Sequence, residues 1–268
     1  MLCLYLKIEC DELYNTLLPM IRINYSYYNN YELLDTIIKY YEPYKDYFKF
    51  TIIDDGSQIE PLTRDLLPEW ITGYRITEDL GWGNEVCKNI LMRETDCEWN
   101  ALMDLDYVID LEHEPTFNLL SNTFTNHFDE LKHFKVCYQF AIGTRVDYND
   151  WTVAEDTPGN INSFIISRTA FFKTYGYDPS FYWYYGNDVS LFRQLDREVI
   201  LSNTKVTKLA SQASPREEAP GDQSIYIPIK EYQAKLERMG VYNPSTCQWR
   251  TEADRLNFSK PLPAVVAI

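Results

Sequence analysis

From Met20 onward, short apolar runs alternate with amphipathic stretches, the pattern of strands followed by helices. Met20 opens Ile21-Arg22-Ile23-Asn24-Tyr25, a first strand. Asn29, with Glu32 three residues on, has the form of a capping box, and Leu33, Leu34, Ile37, Ile38 and Tyr41 mark one helix face that must stop before Pro43. Phe50-Thr51-Ile52-Ile53 predicts a second strand, Tyr74-Arg75-Ile76 a short third, and Val86, Cys87, Ile90 and Leu91 a second helix. Ala101-Leu102-Met103 is too short for a buried helix and reads as the end of a buried parallel strand. This alternation predicts an α/β fold whose first half is a βαβαβ unit with a parallel sheet.

The second half is less regular. A helix is expected from about Pro115 to Phe124, then an apolar segment from Phe134 to Ile142, then a long polar loop from Asp147 to Asn160 in the role of a lid. Phe164-Ile165-Ile166 reads as a strand, Gly176-Tyr177-Asp178-Pro179 as a turn, and Gly186-Asn187-Asp188 as the start of a helix carrying Leu191, Phe192 and Leu195. From Ser211 to Gly221 the composition shifts to Pro, Ser, Glu and Gln, the mark of a mobile connection, and Ile229 to Met239 has the pattern of one amphipathic helix. The division expected is an N-terminal extension over 1–19, a main domain over 20–210 and a C-terminal extension with one helix over 211–268.

Composition narrows the function. A chain of 268 residues with 45% hydrophobic residues can build a sizeable core. Forty acidic against 25 basic residues give a net charge of −15, which opposes binding to nucleic acid or to an anionic membrane. A polyanionic ligand would need a cation to mediate. The six cysteines are scattered without metal-ligand spacing and read as reduced thiols. No apolar run approaches a transmembrane span of roughly 20 residues, and no signal-like segment opens the chain, so a cytoplasmic protein is expected. Twenty-two tyrosines suit a cleft that stacks on sugar faces, although compositional drift accounts for most of them.

Two predicted strands end in carboxylates. The second runs into Asp54-Asp55-Gly56-Ser57, and the strand ending at Met103 runs into Asp104-Leu105-Asp106. In an open α/β sheet, ligands bind outside the carboxyl ends of the strands. Residues i and i+2 of an extended segment share a face, so Asp104 and Asp106 can reach one hard cation. Gly81-Trp82-Gly83 is not a dinucleotide fingerprint, because Val86 stands where the third glycine belongs.

In order along the chain, these motifs resemble glycosyltransferase family 2, enzymes of the GT-A (Rossmann-like) fold, and in particular its small soluble bacterial or viral members. Ile52-Ile53-Asp54-Asp55-Gly56-Ser57 is similar to the family's strand plus DDGS, Asp79-Leu80-Gly81 through Cys87-Lys88-Asn89 to its N-x-G…A-R-N, and Asp104-Leu105-Asp106 to its DxD. Tyr175-Gly176-Tyr177-Asp178 followed by Gly186-Asn187-Asp188-Val189-Ser190-Leu191 resembles G-G-[FY]-D…E-D-x-x-L. The resemblance spans about residues 20 to 200. It implies a GT-A domain with an open, mostly parallel sheet flanked by helices, and a nucleotide-sugar donor, with a UDP-sugar favoured. It places Tyr25, Ser26, Tyr27, Asp54, Asp55, Lys88 and Asp104 at the nucleotide, Asp104 and Asp106 at Mn²⁺ or Mg²⁺, and Asp188 as general base toward a glycan or other hydroxyl acceptor. Asn187 stands for the family's glutamate, Lys88 for its arginine and Asp79 for its first asparagine, and no histidine follows His133.

The chemistry asks for such groups. A divalent ion neutralises charge building on a leaving diphosphate, and a carboxylate removes the proton from the attacking hydroxyl on the opposite face, which inverts the anomeric centre. Two alternatives share parts of the pattern. Asp104-Leu105-Asp106-Tyr107-Val108 also fits the DxDx[TV] of a haloacid-dehalogenase-type phosphohydrolase, although that motif belongs near the start of its core. A non-catalytic sugar-nucleotide or glycan binder is the other. A sugar nucleotidyltransferase would need a glycine-rich basic loop that Ser26-Tyr27-Tyr28-Asn29-Asn30 lacks.

Overall fold

The computed structural model describes residues 21–79, 84–123, 135–147, 153–160, 162–174, 176–177, 187–210, 242–243, 248–249 and 264–268. The chain runs β1 (Arg22–Tyr27), α1 (Tyr31–Tyr41), β2 (Lys49–Asp54), β3 (Ile71–Ile76), α2 (Asn84–Glu94), β4 (Trp99–Met103), β5 (Tyr107–Ile109) and α3 (Glu114–Asn118). It continues through β6 (Val136–Asp147), β7 (Val153–Pro158), β8 (Phe164–Ser167), α4 (Arg168–Lys173), α5 (Asn187–Gln194) and β9 (Arg197–Ala210). A two-stranded ribbon, β10 (Tyr242–Asn243) with β11 (Gln248–Trp249), and a last strand, β12 (Val265–Ala267), follow.

The main sheet has the order β12-β3-β2-β1-β4-β8-β6-β9-β5, with β7 added to β6. Strands β3, β2, β1 and β4 are mutually parallel, as the strand-helix alternation requires. Beyond β4 the sheet departs from the mostly parallel expectation. β8 is antiparallel to both β4 and β6, β7 to β6 and β5 to β9, while β6 and β9 run parallel. The result is a mixed α/β architecture with a central sheet and helices against it.

The parallel strands are buried on both faces, and successive residues serve opposite layers. On β2, Phe50 and Ile52 pack with Leu34, Ile37 and Tyr41 of α1, whereas Ile53 packs with Val86, Cys87 and Ile90 of α2. A third cluster joins Met92 and Leu102 to Phe164, Ile166, Phe171, Tyr177 and Leu191, which seats β8, α4 and α5 against α2.

Four local expectations change. The cap of α1 is Asn30, whose side chain accepts from Leu33 N at 3.3 Å. Asn29 instead adopts a left-handed φ of 43° and accepts from Ile59 N and Glu60 N, both at 3.0 Å, because an asparagine tolerates that conformation and satisfies a turn. The helix expected to reach Phe124 is regular only to Asn118, followed by a wide turn over Leu119–Thr123. Within the stretch expected as a polar loop, Val153–Pro158 forms β7, which satisfies the backbone groups of the β6 edge; residues 148–152 lie outside the described residues.

The fourth change concerns the tail. Val265, Val266 and Ala267 pair antiparallel with Ile76, Arg75 and Tyr74, and Ile268 N donates to Gly73 O at 3.0 Å. A Cβ on Gly73 would meet Ile268 Cγ1 at 2.7 Å and Leu67 Cδ1 at 2.6 Å, so strand and tail press together through a glycine. The last residues are thus part of the main sheet rather than an appendage. The expected N-terminal extension, the connection at Ser211–Gly221 and the helix at Ile229–Met239 lie outside the described residues. Among the described residues no helix is long and apolar enough to cross a membrane.

Deleting residues 264–268 should uncover β3 and cost about 2 kcal/mol, or several degrees in Tm, by loss of a ladder and of apolar burial. Differential scanning calorimetry of the truncated chain checks this, and an unchanged Tm would contradict the role given to β12.

Candidate active site

The strand order reverses between β1 and β4: β2 and β3 lie on one side of β1, and the chain then crosses to lay β4 on the other. Such a reversal opens a crevice at the carboxyl ends of the two diverging strands. Ser26 near the end of β1 and Asp104 after β4 stand there.

At the end of β2 the Asp-Asp-Gly-Ser turn is built by its first aspartate. Asp54 is fully buried and accepts from Ser57 N at 2.7 Å and Leu62 N at 2.8 Å, with Arg75 Nε 3.5 Å away. Its side chain serves the turn. Gly56 has φ +75°, and a Cβ there would meet Glu78 O at 2.6 Å and Asp79 Cα at 2.7 Å, so glycine lets the turn lie against that backbone. Asp55 is buried, and its N–H extends the β1–β2 ladder to Tyr27 O at 2.8 Å.

Alternation along β1 separates the three residues expected at the nucleotide. Tyr25 donates to Tyr107 O at 2.8 Å and shares a hydrogen bond of 2.9 Å with Tyr41, and Tyr27 donates to Glu60 O at 2.7 Å. Both rings are buried in the core, and burial drives both phenols well above their ordinary pKa. Their side chains pack in the core. Ser26 points the other way and donates to Asn84 Oδ1 at the start of α2.

Asn84 passes this contact on to Asp104, the centre of the crevice. Asp104 Oδ1 accepts from Asn84 Nδ2 at 3.1 Å and from Lys88 Nζ at 2.9 Å, and Oδ2 accepts from Asn160 Nδ2 at 3.1 Å. Lys88 is only 2% exposed, and its ammonium also donates to Asn162 O at 2.9 Å. Ser163 Oγ accepts from Asp104 N at 3.3 Å and from Asn160 Nδ2 at 3.1 Å. Burial alone would raise the Asp104 carboxyl, but the Lys88 ammonium and the two amides more than offset it and hold it below its ordinary value. Lys88 thus pairs with Asp104 and with the backbone of Asn162.

A carboxylate has about four lone-pair sites, and three on Asp104 are taken. The remaining one, on Oδ2, is open to a further partner. Asp106 fits a cation better. It is half-exposed, its nearest cation is Lys208 Nζ at 3.6 Å, and burial together with the Asp104 charge raises its carboxyl to about 6 against the pull of Lys208. Among the described residues no three His, Cys, Asp or Glu side chains converge as a metal site, so an ion on Asp106 would complete its shell from a ligand's oxygens and water.

Asp188 lies in the first turn of α5, close enough for its charge to be felt by Glu85 and by Tyr177. Glu85 and Tyr177 were not legible as site residues, nor were Asn84, Asn160 and Lys208. Glu85 is half-buried on the first turn of α2; burial, then the Asp104 and Asp188 charges, raise its carboxyl to about 7 against the opposing Lys88 ammonium. Tyr177 is buried, with its hydroxyl unpartnered among the described residues. Its backbone is held by Asn89, which accepts from Tyr177 N at 2.9 Å and donates to Tyr177 O at 2.8 Å. The i+4 spacing of Asn84 and Lys88, which puts both on one helix face, was the one signal that could have joined them.

Comparison with protein-family models and with curated proteins finds no match. Among solved structures, the chain is similar to a mannosyltransferase from Pyrobaculum calidifontis, solved with GDP-Man and Mn²⁺, at 13% identity and a TM-score of 0.45. The match covers 74% of this chain and 59% of the mannosyltransferase, so the chain spans less than two thirds of that protein's length. A glycosyltransferase involved in glycosylating the major capsid of PBCV-1 matches at 11% identity and a TM-score of 0.32, over 74% of this chain and 98% of its own. The galactosyltransferase LgtC, solved with donor and acceptor sugar analogs, matches at 10% identity and a TM-score of 0.34, over 72% and 88%. These likenesses are distant.

Replacing Lys88 by Met should strand the Asp104 carboxylate without its buried counter-charge and cost about 3 kcal/mol, read as a lower midpoint in urea. Glu85→Gln should show its effect through pH. A carboxyl raised from 4.5 to about 7 in the folded chain keeps a proton that the unfolded chain has released, so stability falls as pH rises through that window. Glu85→Gln should therefore melt above wild type at pH 8, with the advantage shrinking toward pH 5; melting curves that differ equally at both values would refute the assignment.

Proposed function

We propose that the protein is an inverting, metal-dependent glycosyltransferase that moves a sugar from a nucleotide-diphosphate sugar, with UDP-sugars favoured, to the hydroxyl of a glycan or other acceptor. The observation that supports this reading is the carboxylate pair at the end of β4, Asp104 with one open acceptor site and Asp106 two residues on, together with Asp188 in the first turn of α5, whose charge and that of Asp104 both act on Glu85.

Each residue has a separable task. Asp55, at the end of β2, recognises the base, as the resemblance implies. Asp104, oriented by Lys88, Asn84 and Asn160, accepts a hydrogen bond from a ribose hydroxyl through Oδ2. Asp106 holds Mn²⁺ or Mg²⁺; such an ion, when bound, supplies positive charge to the diphosphate as it leaves. Asp188 accepts the proton of the acceptor hydroxyl while that oxygen bonds to the anomeric carbon and the bond from that carbon to the phosphate oxygen breaks. Attack and departure on opposite faces invert the centre. The phosphohydrolase alternative requires Asp104 itself to attack phosphorus, and three hydrogen bonds into that carboxylate make it a poor nucleophile.

Asp188→Asn should leave the melting temperature and nucleotide affinity near wild type while cutting sugar transfer by about 10² to 10⁴. A donor and acceptor screen read by nucleoside diphosphate release checks it; transfer at the wild-type rate would reduce Asp188 to a helix-start residue. Asp106→Asn should abolish the extra thermal shift that Mn²⁺ adds to a nucleoside diphosphate, and undiminished binding in EDTA by the wild type would contradict the metal.

A further inference from the structure

The carboxylates of Asp104 and Asp106 each face a lysine, and the two lysines differ in what they can do. Lys88 is 2% exposed and paired with Asp104 and Asn162 O, so its charge is largely matched inside the protein. Lys208 is open to solvent. Its side chain is 38% exposed, and it stands 3.6 Å from Asp106 Oδ2, itself 35% exposed. We propose that Lys208 is a binding residue for the donor's diphosphate, and that its contact with Asp106 is the resting pair it exchanges for a phosphate oxygen. This rests on the nucleotide-sugar reading above.

The backbone fixes where the ammonium can reach. Tyr107 on β5 lies directly across from Lys208 on β9, and Leu209 N donates to Asp106 O at 2.7 Å, so the two strands lock Lys208 beside the Asp-x-Asp segment. The Lys208 ammonium lies 5.4 Å from the centre of the Tyr107 ring, a cation–π contact that keeps it over the crevice mouth without burying it. An ion pair this exposed is worth at most about 1 kcal/mol, so releasing Asp106 costs little. A lysine–phosphate contact is charge-assisted and stronger than a neutral hydrogen bond. The need for it follows from the chain's net charge of −15, which repels a diphosphate everywhere that no cation intervenes. A single divalent ion on Asp106 leaves part of the diphosphate charge unmatched, and Lys208 is placed to meet it.

Isothermal titration of the full chain in Mg²⁺ tests this, using UDP, GDP and inorganic pyrophosphate as charged probes and uridine and guanosine as neutral ones. Lys208→Met, which keeps the stem over Tyr107, should weaken diphosphate and pyrophosphate binding about 10-fold, the worth of one charge-assisted hydrogen bond, and leave the nucleosides unchanged. Lys208→Arg should restore most of the loss. Lys208→Gln serves where melting curves show that Lys208→Met does not fold. Equal diphosphate affinity in wild type and Lys208→Met overturns the role of the lysine alone, as does an equal loss for the nucleosides. A wild type that binds none of the charged probes overturns the nucleotide-sugar reading and this role with it.

Discussion

The buried ion pair between Lys88 and Asp104 is the constraint around which the crevice is assembled. A buried ammonium is tolerated only when its charge is paired, and here the Asp104 carboxylate pairs it while the Asn162 carbonyl takes a second of its three protons. The same bonds dock α2 onto the end of β4 and draw the 160–163 loop across it. One residue later, Asn89 clasps the backbone of Tyr177 with both halves of its amide. A single turn of α2 therefore joins elements from distant parts of the chain, and the floor of the crevice has little freedom left. Rigidity of that kind is what a site needs if its carboxylates are to meet a ligand without first reorganising.

Around this rigid centre the charges are deliberately unequal. Asp104 is held ionised by an internal cation, whereas Asp106 and Glu85 are pushed toward neutrality by burial and by the carboxylates beside them. Excess negative charge thus accumulates on the open side of the crevice, where it can be relieved by a cation or by a proton. If a protein of net charge −15 handles a phosphate-bearing ligand, positive charge is needed at the point of contact, since the chain as a whole is strongly negative. Under the proposed function, Lys208 and an ion on Asp106 would supply it among the described residues.

Much of the layout was legible in the amino-acid order, because it depends on short-range patterns. The apolar runs ending at Asp54 and Met103 are strands whose carboxyl ends meet, and strand-helix alternation dictated the parallel pairing of β3, β2, β1 and β4. The motif residues Asp104, Asp106 and Asp188 could be named from their positions alone. What each side chain does could not. Tyr25, Ser26 and Tyr27 are consecutive, yet only the side chain of Ser26 meets the Asn84–Asp104 network, because a strand turns alternate residues to opposite layers and the layer packed with α1 is the core. Asp54 and Asp55 likewise look equivalent until the turn recruits the first as its own acceptor.

The remaining decisions were tertiary because they join residues far apart in the chain. Nothing near Lys88 in sequence says that its ammonium ends on Asp104 and a carbonyl at 162, and nothing near Asp106 points to Lys208. The tail shows the same limit, since Val265–Ala267 has no pattern that selects β3 until an open edge and a glycine at 73 offer it a place. The sequence by itself determined the strands and helices of the first, parallel half and which carboxylates stand at its strand ends, for these follow from periodicity and local turn chemistry. The tertiary structure decided which charges are neutralised inside and which remain for a ligand, because burial and long-range pairing are properties of the folded chain alone.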